Sequence, residues 1–432
     1  MDQGRVLQLV AVHILYRCSL QSALHYIDSN VDKHTMALFA GAGVSKQSQD
    51  SKAAGQEAAA AALKEAGIEK ADIALVIASS VFDQGAMLEG VAVALGDTPV
   101  VGCTSAGAIT GDGVHEQAVS VLALKSDTAQ FIPVKVTGIG ADMRAAGQKF
   151  GEQVKATGSS LKMALMFSDA LAGNGTELVR GILGVLGSDF RLGGGAAGDD
   201  LNFKKTYQYF GKEALNDAVV GFAIVGDIDI AVGADHGWQP IGNPRIATKA
   251  EGQKLIELDG KPAFTIYEDY FGARATDFKK ALSLAAVSYP LGMKSKGSGE
   301  QIMVRAPLVV GDDGSIICGA EVIEGSEIYL MIGTLSSVLW SAEQTAKTLV
   351  NAMSSHSRRV VFVSDCVARK ILLGERGQEE IALLKSIGGP GSVLFGFYSY
   401  GQISPLRPPA QDVPLCDPGF YEQSISLAVF GS

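Results

Sequence analysis

Hydrophobic positions fall along this chain in short unbroken runs, separated by amphipathic stretches and glycine-rich turns. Residues 37–44 (ALFAGAGV) read as a strand closed by Gly41 and Gly43. Asp50 or Ser51 then supplies an N-cap for an alanine-rich helix that runs to Ala66, with Gly67 placed to end it. A strand leading into a helix is the opening of an α/β domain.

From there a unit recurs. Each copy starts with an apolar strand that ends on a small or acidic group: ALVIASS (74–80), ALMFSDA (164–170) and VVFVSDC (360–366). A helical stretch follows, over residues 87–95, 177–186 and 379–387. A second strand then breaks at a glycine turn, over residues 102–108, 193–199 and 396–402. The turns share a frame of Gly, two residues, Ser or Ala, one residue, Gly, which sets Gly102, Gly193 and Gly396 at matching strand ends. Glycine there tolerates positive φ or close backbone approach. Each copy closes on a third apolar strand: SVLALKS (120–126), VGFAIVGD (220–227) and ISLAVFGS (425–432). The pattern predicts an α/β fold, mixed sheets with helices packed on them, built from a repeated strand–helix–strand–Gly-turn–strand unit.

Between the second and third copies the pattern changes. Residues 238–248 and 251–272 read as a strand, a turn and a helix, and 285–300 as a loop. Residues 303–331 alternate in short apolar runs around Asp312-Asp313-Gly314 and Glu324-Gly325, which are hairpin signals. Residues 336–356 suit an amphipathic helix. A domain boundary is expected near residue 250, giving domains 36–250 and 251–432. Residues 1–35 stand apart as an N-terminal extension. Their apolar run over residues 6–16 is too short to span a bilayer and lacks a small-residue cleavage site.

Composition narrows the function. The net charge is −10 and Lys and Arg are dispersed, with Arg358 beside Arg359 and Lys204 beside Lys205 as the densest points. That argues against nucleic acid and against an anionic membrane surface. The five cysteines show no C-x-x-C spacing, so neither a disulfide framework nor a zinc site is expected, and a cytoplasmic location is the simplest. No kinase, cyclase or DNA-binding segment is recognisable, so a signalling role would need a separate partner.

The segments GCTSAGAI (102–109), FSDALAGNGTELVRGI (167–182), GGGAAGDDLNFKKTY (193–207), GWQPIG (237–242), ELDGKPAFTIYEDYFG (257–272) and GFYSYGQI (396–403) together resemble the FIST family, with a FIST N-terminal domain followed by a FIST C-terminal domain. The resemblance runs from about residue 37 to the end. It implies a sensory protein in signal transduction that binds a small ligand, an amino acid among the candidates, and it implies no enzymatic activity. It also implies, as an alternative, a haem-binding nitric-oxide sensor working with a histidine kinase or a cyclic-di-GMP enzyme in trans. Where the family's first and third turns usually continue with Glu, this chain has Ala108 and Gln402; Asp199 keeps an acid.

Ligands of open α/β sheets sit beyond the carboxyl ends of strands. The polar residues placed there are Cys103, Thr104, Ser105, Asp169, Asn174, Asp199, Tyr398, Tyr400 and Gln402, with Trp238 beside the second candidate site. For haem, His236 before Gly237-Trp238 is the candidate ligand; His13, His25 and His34 lie in the N-terminal stretch, His356 in a polar run, His115 in a glycine-rich loop. No C-x-x-C-H motif is present, so a haem would be non-covalent. For an enzyme, Cys103 and Cys366 are the candidate nucleophiles, but no activating His accompanies either.

Overall fold

The computed structural model describes residues 38–47, 49–294, 301–353, 358–405 and 419–432. The expected N-terminal extension, its three histidines and His356 lie outside the described residues. The first repeat runs β1 (Leu38–Ser45), α1 (Ser51–Ala66), β2 (Ile73–Ser79), α2 (Gln84–Leu95), β3 (Val100–Ser105), a hairpin of β4 (Ala108–Thr110) and β5 (Gly113–His115), then β6 (Val119–Ser126). The second runs β7 (Ala129–Thr137), α3 (Met143–Lys155), β8 (Leu161–Ser168), α4 (Gly175–Leu186), β9 (Leu192–Ala196), a hairpin of β10 (Gln208–Phe210) and β11 (Glu213–Leu215), then β12 (Ala218–Gly226). The third starts with β13 (Asp229–Asp235) and is then interrupted.

The interruption is an inserted sheet with short helices: β14 (Gln239–Glu251), β15 (Lys254–Leu258), β16 (Lys261–Pro262), α5 (Thr265–Phe271), α6 (Ala275–Lys280), α7 (Leu282–Ser288), β17 (Leu291–Lys294), β18 (Met303–Arg305), β19 (Pro307–Val310), β20 (Ile316–Cys318) and β21 (Glu327–Ile332). The third repeat then resumes with α8 (Leu335–Ala352), β22 (Arg359–Cys366), α9 (Val367–Leu373), α10 (Gly377–Gly388), β23 (Ser392–Ser399), a hairpin of β24 (Gly401–Ser404) and β25 (Gly419–Tyr421), and β26 (Ile425–Gly431). The boundary expected near residue 250 falls inside β14 of the inserted sheet. The loop expected over 285–300 begins instead as helix α7 and strand β17, because Leu282, Ala286 and Val287 bury one face of a short helix.

Each repeat is longer than its sequence signature, since a strand and a helix precede the apolar run that reveals it, with the insertion between them in the third. The repeats also exchange their hairpins. The three sheets have the orders β1-β6-β2-β3-β10-β11, β7-β12-β8-β9-β24-β25 and β13-β26-β22-β23-β4-β5. The hairpin of the first repeat thus completes the sheet of the third, that of the second completes the first, and that of the third completes the second. Inner faces of all three sheets meet in one apolar core, where Phe167 of β8 lies 6.0 Å from Phe362 of β22 and 5.7 Å from Phe397 of β23, ring centre to ring centre. Helices cover the outer faces: α1 and α2 on the first sheet, α3 and α4 on the second, α8 and α10 on the third. Burial on both faces explains why β2, β8 and β22 read as unbroken apolar runs rather than alternating ones.

The turn glycines have a steric cause. A Cβ on Gly102 would lie 1.9 Å from the Val76 carbonyl oxygen, one on Gly194 2.0 Å from that of Met166, and one on Gly396 2.0 Å from that of Val363. Pairing matches them: Val76 faces Gly102, Met166 faces Gly194 and Val363 faces Gly396. The equivalent of Gly102 and Gly396 is therefore Gly194, not Gly193, and the frame read from sequence is one residue out of step in the second copy. Gly194→Ala is expected to lower stability by about 2 kcal/mol, combining a blocked carbonyl approach with φ of +124°. Gly193→Ala should cost less, because its Cβ would meet only the movable ends of Met163 and Leu165. Denaturant midpoints of the two variants check this order.

Candidate functional site

The threefold arrangement gives three equivalent strand ends. Ser79, Asp169 and Cys366 correspond, since their amides donate to the carbonyls of Ala118, Ala218 and Ser424, at or just before the last strand of each repeat. Each acceptor follows a residue with positive φ: Gln117 at 47°, Asp217 at 51° and Gln423 at 54°.

At the first strand end, the Asp200 carboxylate closes the space. It accepts from Ser79 Oγ at 2.9 Å, from the Ser80 amide at 2.7 Å and from Ser80 Oγ at 2.5 Å. At the second, Asp169 is consumed in the same way: it accepts from the Leu171 amide at 2.9 Å, Thr206 Oγ1 at 2.8 Å and the Asp217 amide at 2.8 Å. The third end differs. Cys366 opens on a cleft of about 210 Å³, walled by Val367 and Ile371 of α9, Leu284 and Val287 of α7, Leu308 of β19, and Leu201 and Phe203 from the loop after β9. Tyr400, Glu422, Gln423 and Ser283 supply its polar groups.

The loop wall is built by Asp199, which is buried. Its carboxylate accepts from the Phe203, Lys204 and Lys205 amides at 2.8, 2.7 and 2.9 Å and from the Tyr400 hydroxyl at 2.6 Å. The Leu201 amide in turn donates to the Tyr400 oxygen at 2.8 Å, and the Phe203 ring stacks on Tyr400 with centres 4.6 Å apart. These contacts hold Leu201 and Phe203 at φ of 66° and 51°, conformations their side chains disfavour.

Glu422 is buried, and burial pushes its carboxyl up to about 7 against the pull of Arg305 and of the Ala306 and Ala320 amides. Its Oε2 accepts from the Ala306 amide at 3.0 Å. Gln423 donates from Nε2 to the Ala286 carbonyl at 2.8 Å, while its Oε1 is buried with no hydrogen-bond partner among the described residues. Burial lifts the Cys366 thiol to about 11, so at neutral pH it is a packed thiol rather than a thiolate.

Of the ligand contacts expected from sequence, Tyr400 alone reaches this cleft; Cys366, expected as a candidate nucleophile, also lines it. Cys103 lies in the core between the sheets, with its thiol pushed up by burial. Thr104 Oγ1 accepts from the Tyr207 amide at 2.9 Å, and Ser105 Oγ from the Gly107 amide at 3.2 Å, closing the turn. Asn174 caps α4 through the Thr176 amide. Gln402 is buried, accepting from Ser424 Oγ at 3.0 Å and donating to Ser399 Oγ at 2.9 Å. Trp238 is buried with its Nε1 donating to the Val287 carbonyl at 3.2 Å. Tyr398 is buried beside the Asp365–Arg369–Glu380 cluster. Thr104, Ser105 and Asn174 are thus taken up by nearby backbone and Gln402 by two serine hydroxyls, whereas the Tyr398 hydroxyl is buried without a hydrogen-bond partner among the described residues.

Glu422 and Gln423 were missed, although the sequence carries a signal for them. The segments HEQAVS (115–120), LNDAVV (215–220) and YEQSIS (421–426) align on the three positive-φ residues, and the pair Glu-Gln stands in both the first and third.

The second expected site does not suit haem. Nδ1 of His236 accepts from the Trp238 amide at 3.0 Å, and Nε2 lies 3.0 Å from the Ile302 carbonyl, so both ring nitrogens are engaged. The adjoining cavity, about 90 Å³, is far smaller than a porphyrin. Nε2 of His115 lies 2.7 Å from Thr110 Oγ1. Among the described residues no cluster of three His, Cys, Asp or Glu could hold a metal ion, and no helix is long and apolar enough to cross a membrane.

Comparison with known proteins gives three findings. An uncharacterised protein of Methanocaldococcus jannaschii is 23% identical over 301 residues, which is 63% of this chain and 55% of that protein. The chain thus spans about half the length of the curated relative it matches. A crystal structure of a chorismatase aligns over 92% of this chain and 99% of its own, at 7% identity and a TM-score of 0.31, a likeness too weak to carry an argument. The FIST N domain model matches residues 72–261 and the FIST C domain model residues 263–405. With the two models joined head to tail within the inserted sheet, this chain belongs to the FIST family, whose domains are generally described as small-ligand sensory domains in signal transduction.

Proposed function

We propose that this protein is a receptor whose ligand occupies the cleft at the end of β22 and whose occupancy is passed to a separate output partner. The observation that carries this reading is the break in threefold symmetry. Two equivalent strand ends are filled by carboxylates of the chain itself, and the third is left open with an apolar lining and a few polar groups, the usual make-up of a small-molecule site.

The cleft's position supports transmission. Its walls come from the repeat body on one side and from the inserted α7 and β19 on the other. A ligand that prefers one spacing of these walls shifts the population toward it and changes the surface offered to a partner. A histidine kinase or a cyclic-di-GMP enzyme in trans is the partner class this reading carries forward. A haem-based variant has no support in the geometry around His236.

Ala368 on α9 lines the cleft, and a larger side chain there would fill it. In a thermal-shift survey of small molecules, compounds that raise the wild-type midpoint should lose their effect on Ala368→Trp. Equal stabilisation of both proteins, or no stabilising compound at all, would remove the cleft as the receptor site.

A further inference from the structure

The chemistry of the cleft wall is one-sided. No Lys, Arg or His is among the residues that line it, and Glu422 is its one ionisable acid. The unpartnered Gln423 Oε1 is a second acceptor, on a side chain that is 2% exposed and fixed at its other end by Ala286. The Tyr400 hydroxyl is occupied on both sides, donating to Asp199 and accepting from Leu201. The Ala368 amide, in the first turn of α9, is directed at the Cys366 sulfur rather than left free for an anion. Besides the exposed Ser283 hydroxyl, the cleft therefore offers acceptors at one end and aliphatic and aromatic surface elsewhere.

We propose that the cleft takes an apolar primary amine that carries no carboxylate, its ammonium group held by the Glu422 carboxylate and the Gln423 amide oxygen. This rests on the reading of the cleft as the ligand site and narrows its ligand. A free amino acid fits less well, because its carboxylate would be desolvated near Glu422 without a cation in the wall to receive it. An aliphatic or aromatic amine brings only the charge the wall can answer, and its body covers Leu284, Leu308 and Ile371.

The ionised form of Glu422 is the one that holds an ammonium. The groups facing Glu422 are Arg305 of β18, Cys318 of β20 and Cys366 at the end of β22; Glu321 and Tyr421 face Arg305 in turn. Arg305 favours the carboxylate, and its hydrogen-bond donors go to the Glu321 and Val304 carbonyls. With Glu422 at about 7, its ionised fraction falls from about nine-tenths at pH 8 to about one-tenth at pH 6. Amine affinity should fall about tenfold over the same interval.

Three probes with one phenyl body separate the head groups: 2-phenylethylamine, phenylalanine and 3-phenylpropionate, each titrated calorimetrically into the full chain at pH 8 and pH 6. The expected result is that 2-phenylethylamine binds at least about tenfold tighter than the other two at pH 8 and weakens about tenfold at pH 6. Glu422→Gln should remove most of that affinity and its pH dependence; the wild-type pH profile gives the same information should that variant fold poorly. Tighter binding of phenylalanine or phenylpropionate, an amine affinity indifferent to pH, or no binding of the amine overturns the proposal. If a carboxylate probe binds wild type and not Ala368→Trp, the amine assignment fails while the cleft stands as the receptor site. If stabilising compounds ignore Ala368→Trp, the cleft itself falls.

Discussion

Arg369→Met should lower the stability of the chain by about 3–5 kcal/mol, the range for breaking a buried ion pair by removing one partner. Arg369 is fully buried and joins two buried carboxylates, with Nε donating to Asp365 Oδ1 at 2.7 Å and Nη2 donating to Glu380. Two acids share one cation, and burial together with Glu380 lifts the Asp365 carboxyl well above the ordinary range. Asp365 Oδ2 and Glu380 Oε2 are both buried without a hydrogen-bond partner among the described residues. Loss of the guanidinium leaves both carboxyl groups without a cation in a dry site.

The same side chain ties the inserted domain down at both crossings. Nη1 donates to the His236 carbonyl at 2.9 Å, just before the insertion, and Nη2 to the Val338 carbonyl at 3.2 Å, just after it. Arg369 stands on α9, whose first residues wall the cleft. Arg369→Met should therefore also speed amide exchange in β14 and the first turns of α8. An unfolding free energy within about 1 kcal/mol of wild type, from denaturant titration, would contradict the role given to Arg369.

Asp199→Ala is the second large effect expected. It strips acceptors from the amides of three exposed residues and from the half-buried Tyr400 hydroxyl, all bonded to a buried carboxylate, at a cost of about 3 kcal/mol. With those bonds gone, only the Leu201 amide bond to Tyr400 and the Phe203–Tyr400 stack offset the positive φ of Leu201 and Phe203, and the wall they form should relax. Cleft ligands should lose more than about tenfold in affinity, corresponding to 1.4 kcal/mol or more. Asp199→Asn, which keeps one acceptor oxygen, should fall between. Limited proteolysis is the check on structure, with new cleavage expected within residues 199–206, and calorimetry the check on affinity. Full retention of ligand affinity in Asp199→Ala would show that the loop is not part of the site.

The repeat was legible because strands buried on both faces leave continuous apolar runs, and because close strand pairing excludes a Cβ at Gly102 and Gly396. The one-residue slip in the second copy has a plain cause: Gly193, Gly194 and Gly195 are identical in sequence, and only the position of the Met166 carbonyl tells them apart. The hairpin exchange was not legible, since strand pairing across about 100 to 290 residues leaves no local mark. Nor was the insertion's place in the third repeat, because β13 and α8 are separated by a whole sheet.

The site was legible only as a region. Strand ends with glycine turns were the right part of the fold, but short polar side chains at such turns satisfy nearby backbone first. Thr104, Ser105, Asp169 and Asp199 each do so here. The cleft's own chemistry comes from Glu422 and Gln423, whose meaning depends on which of three similar turns is left unfilled, and from Leu284 and Leu308 of the insertion.

The central claim is that of three equivalent strand ends the third is the receptor site. A crystal structure of the full chain with a stabilising compound from the thermal-shift survey tests it most directly. The account predicts ligand density between α7 and α9, against Cys366 and within hydrogen-bond reach of Gln423 Oε1, with Asp200 still on Ser79 and Asp169 still on Thr206. Density at the Ser79 or Asp169 strand end, with the Cys366 cleft empty, would contradict it.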